Sequence, residues 1–291
     1  MKQWVLILAL IISIILMLVV GIFSGILGAL LGLGGGIIVT PILVIGFNLP
    51  IHYAIGASII AVIATSSGAS IAYLKDDMLN LRMAMFLEIF TTIGALAGAL
   101  LAIFFKAIWL NFLFGILLVY QAYRMWRKLH SKKVDAPSTK EDHFAQKMQL
   151  NSSYFDKSTH QQIDYKVENV AGGALAMIWA GIASGLLGIG SGMFKVFAMD
   201  TVMKMPLKPS SATSNLMMGV TAATSALVYF FNGTIKANIA VPIALGILLG
   251  ATIGARLMPH IPAKRLRQLF IPVVGIAGLQ LLLKAFNITL Y

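Results

Sequence analysis

Long apolar runs, each closed by a short polar or glycine-containing break, recur along the whole chain. Residues 4–31 form one run, and others cover 52–74, 81–104 and 108–127. After a polar stretch the pattern resumes over 170–187, 210–231, 236–258 and 264–286. As helices, runs of this length cross a hydrocarbon layer of about 30 Å. Two apolar segments, 37–47 and 193–203, are too short. A helix of that size rises about 1.5 Å per residue and covers only half the layer. Each is expected to be a re-entrant half-helix facing the protein interior. The first run extends well past the apolar stretch of a secretory signal, so it is expected to stay as a membrane helix.

The breaks before the half-helices organise the chain. A constant shift of 156 residues places Gly32, Gly34 and Gly36 on Gly188, Gly190 and Gly192. The same register puts Pro50 on Pro206, Ser58 on Ser214, Thr65 on Thr221 and Tyr73 on Tyr229. Gly94, Ala95 and Gly98 fall on Gly250, Ala251 and Gly254. The reading is an all-α membrane protein of two repeats. Each has a helix hairpin broken at a glycine cluster, then three transmembrane helices. The first repeat is 1–127 and the second 169–291, joined by a polar loop, 128–168.

A hairpin that returns to its own side leaves three crossings per repeat, and an odd number inverts the second repeat. Charge tests this. With inversion, Lys75, Arg82, the basic residues from Arg124 to Lys166, Lys204, Lys208, Arg256, Lys264, Arg265 and Arg267 all face the cytoplasm. Lys2, Lys106, Lys236 and Lys284 face outward, and Lys195 lies within the membrane. That distribution obeys the positive-inside rule, with both termini outside. The net charge of +12 therefore reflects orientation rather than nucleic-acid binding. Within the loop, MQLNSSYFD and QIDYKVEN alternate apolar and polar residues around a KSTHQ turn, which predicts a small cytoplasmic β-hairpin; a disordered linker is the alternative.

Composition agrees. The chain is 59% hydrophobic and 11% charged, against about 25% charged in soluble domains. There are no cysteines, and the five histidines show no metal-ligand spacing, so neither a metal nor a cofactor is expected. No nucleophile, base or metal cluster converges as in an enzyme.

Irregular backbone at membrane depth needs protein or a water-filled cavity around it. Paired broken helices then point to a transport site, because helix N-termini offer N–H donors and partial positive charge to an anion. The candidate ligands are Gly34, Gly35 and Gly36 with Ser58, and Gly190, Ser191 and Gly192 with Ser214 and Asn215. The glycines could instead serve only close packing, and the hydroxyls could bond back to their own helices. Two ionisable residues lie at depth. Lys195, three residues beyond GIGSG, could pair with an anion or snorkel to an interface. Glu88 could carry protons or partner a buried cation. Their repeat positions hold Val39 and Ala244, so the duplication is chemically asymmetric.

The duplicated GLGGG and GIGSG segments, PILV after the first, the ATSN run at Ala212–Asn215 and the Gly250–Gly254 helix resemble the sulfite exporter TauE/SafE family. The resemblance covers both membrane repeats. It implies a bacterial inner-membrane permease for sulfur-containing anions such as sulfite or sulfoacetate. It also implies a proline where this chain has Phe197, so a straighter second half-helix is expected. The expected partners are a small anion, the lipid bilayer and protons, with homodimerisation left open. A passive anion channel on the same scaffold is the alternative.

Overall fold

A computed structural model describes residues 2–32, 34–130, 142–156, 160–261 and 263–286. The membrane part is all-helical. Helix α1 (Lys2–Leu31) leads to α2 (Gly36–Pro41), which continues as a π-helical turn over Ile42–Gly46. Helices α3 (Ile51–Lys75), α4 (Leu81–Ala102) and α5 (Ala107–His130) follow. Beyond the polar loop come α7 (Val170–Leu187), α8 (Gly192–Phe197) with a π turn over Ala198–Val202, α9 (Leu207–Phe231), α10 (Ala237–Leu257) and α11 (Ala263–Ala285). Among the described residues, seven helices are long and apolar enough to cross a membrane; α11 carries a shorter apolar stretch, Val274–Ala285.

The polar loop contributes a short helix, α6 (His143–Lys147), and an antiparallel pair, β1 (Ser152–Asp156) and β2 (Gln161–Tyr165). Part of the KSTHQ turn and residues 131–141 lie outside the described residues.

Small residues set the packing. Gly21 abuts Ile243 and Gly246, and Gly25 abuts Ile247 and Ala251, so α1 and α10 run parallel at backbone contact. In the same way Gly94 meets Ile178 and Gly181, and Gly185 meets Ala95 and Ala99, so α4 and α7 run parallel. Without a hydrophobic drive between helices in lipid, such close approach supplies the van der Waals attraction. The repeat-related helices themselves cross in opposite directions. Gly56 of α3 lies against Thr234 beyond the end of α9, while Ser66 donates to Leu216 O near its middle. Gly115 of α5 faces Leu282 of α11, and Gly278 faces Leu118. Outside this packing, Phe104 and Phe231 are each 83% exposed and Trp179 is 71% exposed. Side chains of that kind belong to a surface covered by lipid.

The second half-helix is not straighter than the first. Phe47 N–H bonds Ile42 O at 3.3 Å, and Met203 N–H bonds Ala198 O at 2.9 Å, so both end in the same wide turn. Proline at position 41 is therefore not what makes it. The following turn is also shared, with Asn48 at φ +50° and Lys204 at φ +59°.

The loop docks on the second half-helix. Tyr154, Tyr165, Leu150 and Ala145 share a buried cluster with Met83, Met177, Met199, Met203, Met205 and Met217. Around it Asn80 Nδ2 donates to Leu150 O (2.7 Å), Glu168 N–H donates to Met203 O (3.0 Å) and Lys208 pairs with Asp156 (2.7 Å). Asp142 accepts from Val170 N–H and from the first N–H groups of α6. These bonds, Val170 foremost, hold its carboxyl below the ordinary value of 3.8.

Candidate functional site

The two glycine breaks meet at the centre of the molecule. Gly32 and Gly34 take φ of +65° and +74°, and Gly188 and Gly190 take +65° and +69°, which glycine adopts without a Cβ penalty. A β-carbon at Gly190 would stand 2.3 Å from Val62. One at Gly34 would stand 3.0 Å from the sulfur of Met218, the repeat-mate of Val62. Gly36 is tight as well, with Ser58 Oγ 2.4 Å from where its β-carbon would be. Gly35 is helical, whereas its counterpart Ser191 is left-handed (φ +53°) and donates to Gly190 O at 2.7 Å.

Hydroxyls clamp the breaks across the repeats. Ser58 donates to Gly188 O at 2.8 Å, and Ser214 lies 3.0 Å from Gly32 O and 3.1 Å from Gly192 O. Tyr73 donates to Ala29 O (2.7 Å) and Tyr229 to Gly185 O (2.8 Å). Asn215 Nδ2 reaches Ala29 O and Ser211 O, while its Oδ1 is buried without a partner among the described residues. Ser58 and Ser214 thus spend their protons on backbone carbonyls, a bonding role within the scaffold. Asn215 retains one acceptor.

Lys195 and Glu88 come together. The lysine is fully buried and does not reach an interface. Its ammonium donates to Glu88 Oε2 at 3.1 Å and to Thr221 Oγ1 at 2.5 Å. Thr221 lies 2.5 Å from Glu88 Oε1, and Thr91 and Thr92 donate to the carboxylate at 3.0 and 3.1 Å. The lysine starts in the first turn of α8, where its N–H bonds Ser191 O. Taking both charges out of water costs several kcal/mol each, so a pair at this depth requires the hydroxyl shell it has. The sequence marked the two charges and Thr221, but not Thr91 and Thr92. Thr91 and Thr92 sit three and four residues beyond Glu88, which places them on its face of the helix.

Symmetry breaks here. In the first repeat Thr65 Oγ1 accepts from Gly35 N–H at 3.1 Å and so caps the half-helix. Its mate Thr221 serves the ion pair instead. Thr65 donates to Ala61 O one turn back, whereas the single Thr221 proton has Glu88 Oε1 and Met217 O as alternative acceptors.

A second difference lies at the far ends of the half-helices. A cavity of about 380 Å³ opens between the first half-helix and α11, bordered by Pro41, Ile42, Ala277 and Gln280. The 156-residue shift relates Pro41 to Phe197 and Gln280 to Arg124, and there the Arg124 guanidinium lies 3.7 Å from the Phe197 ring centre. This cation–π contact joins the equivalent positions and is invisible in either sequence segment alone.

Crossing helices around two broken half-helices, with a charge pair sealed at their junction, define a polytopic membrane protein. Comparison with known proteins gives the family. Residues 16–281 match Sulfite exporter TauE/SafE, and the chain belongs to that family of membrane transporters, which are not enzymes. It is 25% identical over 251 residues to the probable membrane transporter protein YdhB of Bacillus subtilis, covering 86% of this chain and 93% of that one. It is 26% identical over 268 residues to the probable membrane transporter protein MJ0441 of Methanocaldococcus jannaschii, covering 87% and 89%. No solved structure matches the chain.

Proposed function

We propose that this protein is a secondary carrier that exports small sulfur-containing anions, such as sulfite or sulfoacetate, across a bacterial inner membrane. It works by alternating access around the junction of the two half-helices. The repeats are inverted, both half-helices are re-entrant, both termini lie outside and the β-hairpin loop lies in the cytoplasm. The antiparallel crossing of α3 with α9 and of α5 with α11 supports inversion, since repeats of equal orientation would make those pairs parallel.

One observation carries the reading: the fully buried Lys195, which ends the first turn of a half-helix and holds Glu88. A dehydrated anion needs compensating charge. Lys195 offers it, together with the glycine-cluster backbone of Gly34, Gly35, Gly36, Gly190, Ser191 and Gly192, and Asn215 beside them. Ser58 and Ser214 hold the two breaks in place. Glu88 already occupies the ammonium, so an anion must displace it. A proton on Glu88 removes that competitor. Anion binding and protonation of Glu88 then favour each other, and the carrier moves them together, so export runs on an outward gradient of the anion and against the inward proton gradient.

Purified protein in liposomes tests this with sulfite, sulfoacetate, thiosulfate, sulfate and acetate, with and without a pH gradient. Flux of a sulfur oxyanion driven by the proton gradient at zero anion gradient is expected. Flux that follows only the anion gradient and voltage means a passive channel. Single cysteines at Ser153 and Asn232 in this cysteine-free chain should label from opposite sides of the membrane; same-side labelling ends the topology.

A further inference from the structure

We propose that the parallel ends of α3 and α10 form a binding site for the headgroup of an anionic glycerophospholipid. A cavity of about 350 Å³ lies there, bordered by Gly68, Ile71, Lys75, Asp76, Thr252 and Arg256. Its shape follows from small residues. Leu248 O and Thr252 come against Gly68, so the helices touch at that level. Beyond it, Lys75 and Arg256 stand on the two helix ends and face one recess.

The two cations in that recess have no partner among the described residues. Neither Lys75 nor Arg256 makes an ion pair or a hydrogen bond among the described residues. Asp76 shares the rim and has an interaction of its own. Two unpaired cations beside a carboxylate leave a positive excess that suits a single phosphodiester. The Thr252 hydroxyl donates to Leu248 O, so it offers the ligand no proton, and the phosphate would be held by the two cations.

The duplicated backbone supplies an internal control. At the opposite end, the positions matching Gly68, Lys75, Asp76, Thr252 and Arg256 are Thr224, Phe231, Asn232, Leu96 and Leu100. The same helix junction recurs there without a cation. Orientation by positive charge requires basic residues in the loops. It does not require them to converge on a recess between two membrane helices.

The surroundings select a lipid over a soluble anion. Ile71 lines the cavity and is 65% exposed, and Ile253, one residue from Thr252, is 48% exposed. Acyl chains would lie along these side chains while the phosphate meets the cations above. Basic pockets between helices at the cytoplasmic surface bind anionic headgroups in this way.

The test uses the full chain in detergent and counts retained phosphatidylglycerol against phosphatidylcholine by native mass spectrometry. The Lys75→Gln/Arg256→Gln protein should lose preference for phosphatidylglycerol by about tenfold or more. Lys75→Arg/Arg256→Lys should keep it, and Asp76→Asn should raise it. Lys106→Gln, beyond the other end of α4, should match wild type. An unchanged preference in the double glutamine variant overturns the proposal. So does complete displacement of the lipid by soluble glycerol phosphate, which would make the recess a site for free phosphate.

Discussion

Residues 34–47 and 190–203 follow one path through the protein. Each leaves a left-handed glycine, runs for six helical residues and widens into a π turn. Each is pinned by a serine from the opposite repeat. The first stretch nevertheless carries no charge, with Val39 and Thr40 fully buried and Thr65 capping Gly35. The second carries Lys195 at the Val39 position, and its threonine has turned to the charges. The two stretches share a frame, and the charge lies on one side only. One repeat is thus a scaffold of the other's shape without its charge, and the two can be set against each other experimentally.

The largest effect is expected at the breaks. Gly190→Val combines a left-handed backbone, costing about 1–2 kcal/mol, with a β-carbon inside contact distance of Val62. Transport and folded yield should both fall severely. Gly35→Val should be milder, because Gly35 is helical and its nearest neighbours would lie at 3.0–3.3 Å. Equal loss in both, by flux and by fluorescence-detected size exclusion, would show that backbone conformation does not set the difference.

Next comes an attempt to move the charge. Val39→Lys alone places an ammonium in a fully buried position without a partner and should destabilise by several kcal/mol. Adding Ala244→Glu, at the repeat position of Glu88, should restore much of that loss, with Thr65 in the place of Thr221. Thermal unfolding of the two variants decides it. If the second substitution restores nothing, the repeats differ in more than side chains.

The glycine breaks, half-helices and long helices were legible in the sequence, because glycine spacing and apolar run length are local signals. The charge pair was legible only as two isolated residues. Lys195 and Glu88 are 107 positions apart and lie in different repeats, and repeat symmetry gives no hint where it is broken. Ser58 and Ser214 were marked as a pair, yet their carbonyl acceptors depend on how the halves cross. The Phe197 position shows the converse. Its missing proline suggested a straighter helix, but the wide turn is kept by backbone bonds and packing.

Threonine tests are expected to give smaller effects. Thr221→Val keeps shape and removes a hydroxyl that touches both charges, so the pH dependence of flux should shift. Thr65→Val removes one cap and should cost about 1 kcal/mol of stability with an unchanged pH profile. A pH profile altered equally by both would deny the threonines separate roles.

The smallest effect concerns the docked loop. Asp142 has its carboxyl held below the ordinary value by Val170 N–H. A depressed value means the stabilisation is fully present above pH 3.8 and is lost as pH falls through the folded value. Protection against hydrogen exchange at the start of α7 should therefore fall below pH 3.8. In Asp142→Asn the acid-dependent part should vanish; an acid response like that of wild type would place the titrating group elsewhere.

The central claim is that Glu88 and the transported anion compete for Lys195. Equilibrium binding of the best sulfur oxyanion to wild type, Lys195→Met, Glu88→Gln and the neutral double variant tests it most directly. The double variant removes both charges, so it separates folding from binding. The account predicts that Glu88→Gln keeps or tightens affinity and loses its pH dependence. Lys195→Met and the double variant should both bind about tenfold weaker or worse, equivalent to about 1.4 kcal/mol. Wild-type affinity in a folded double variant would contradict the account, since the pair would then hold helices together and the anion would bind elsewhere.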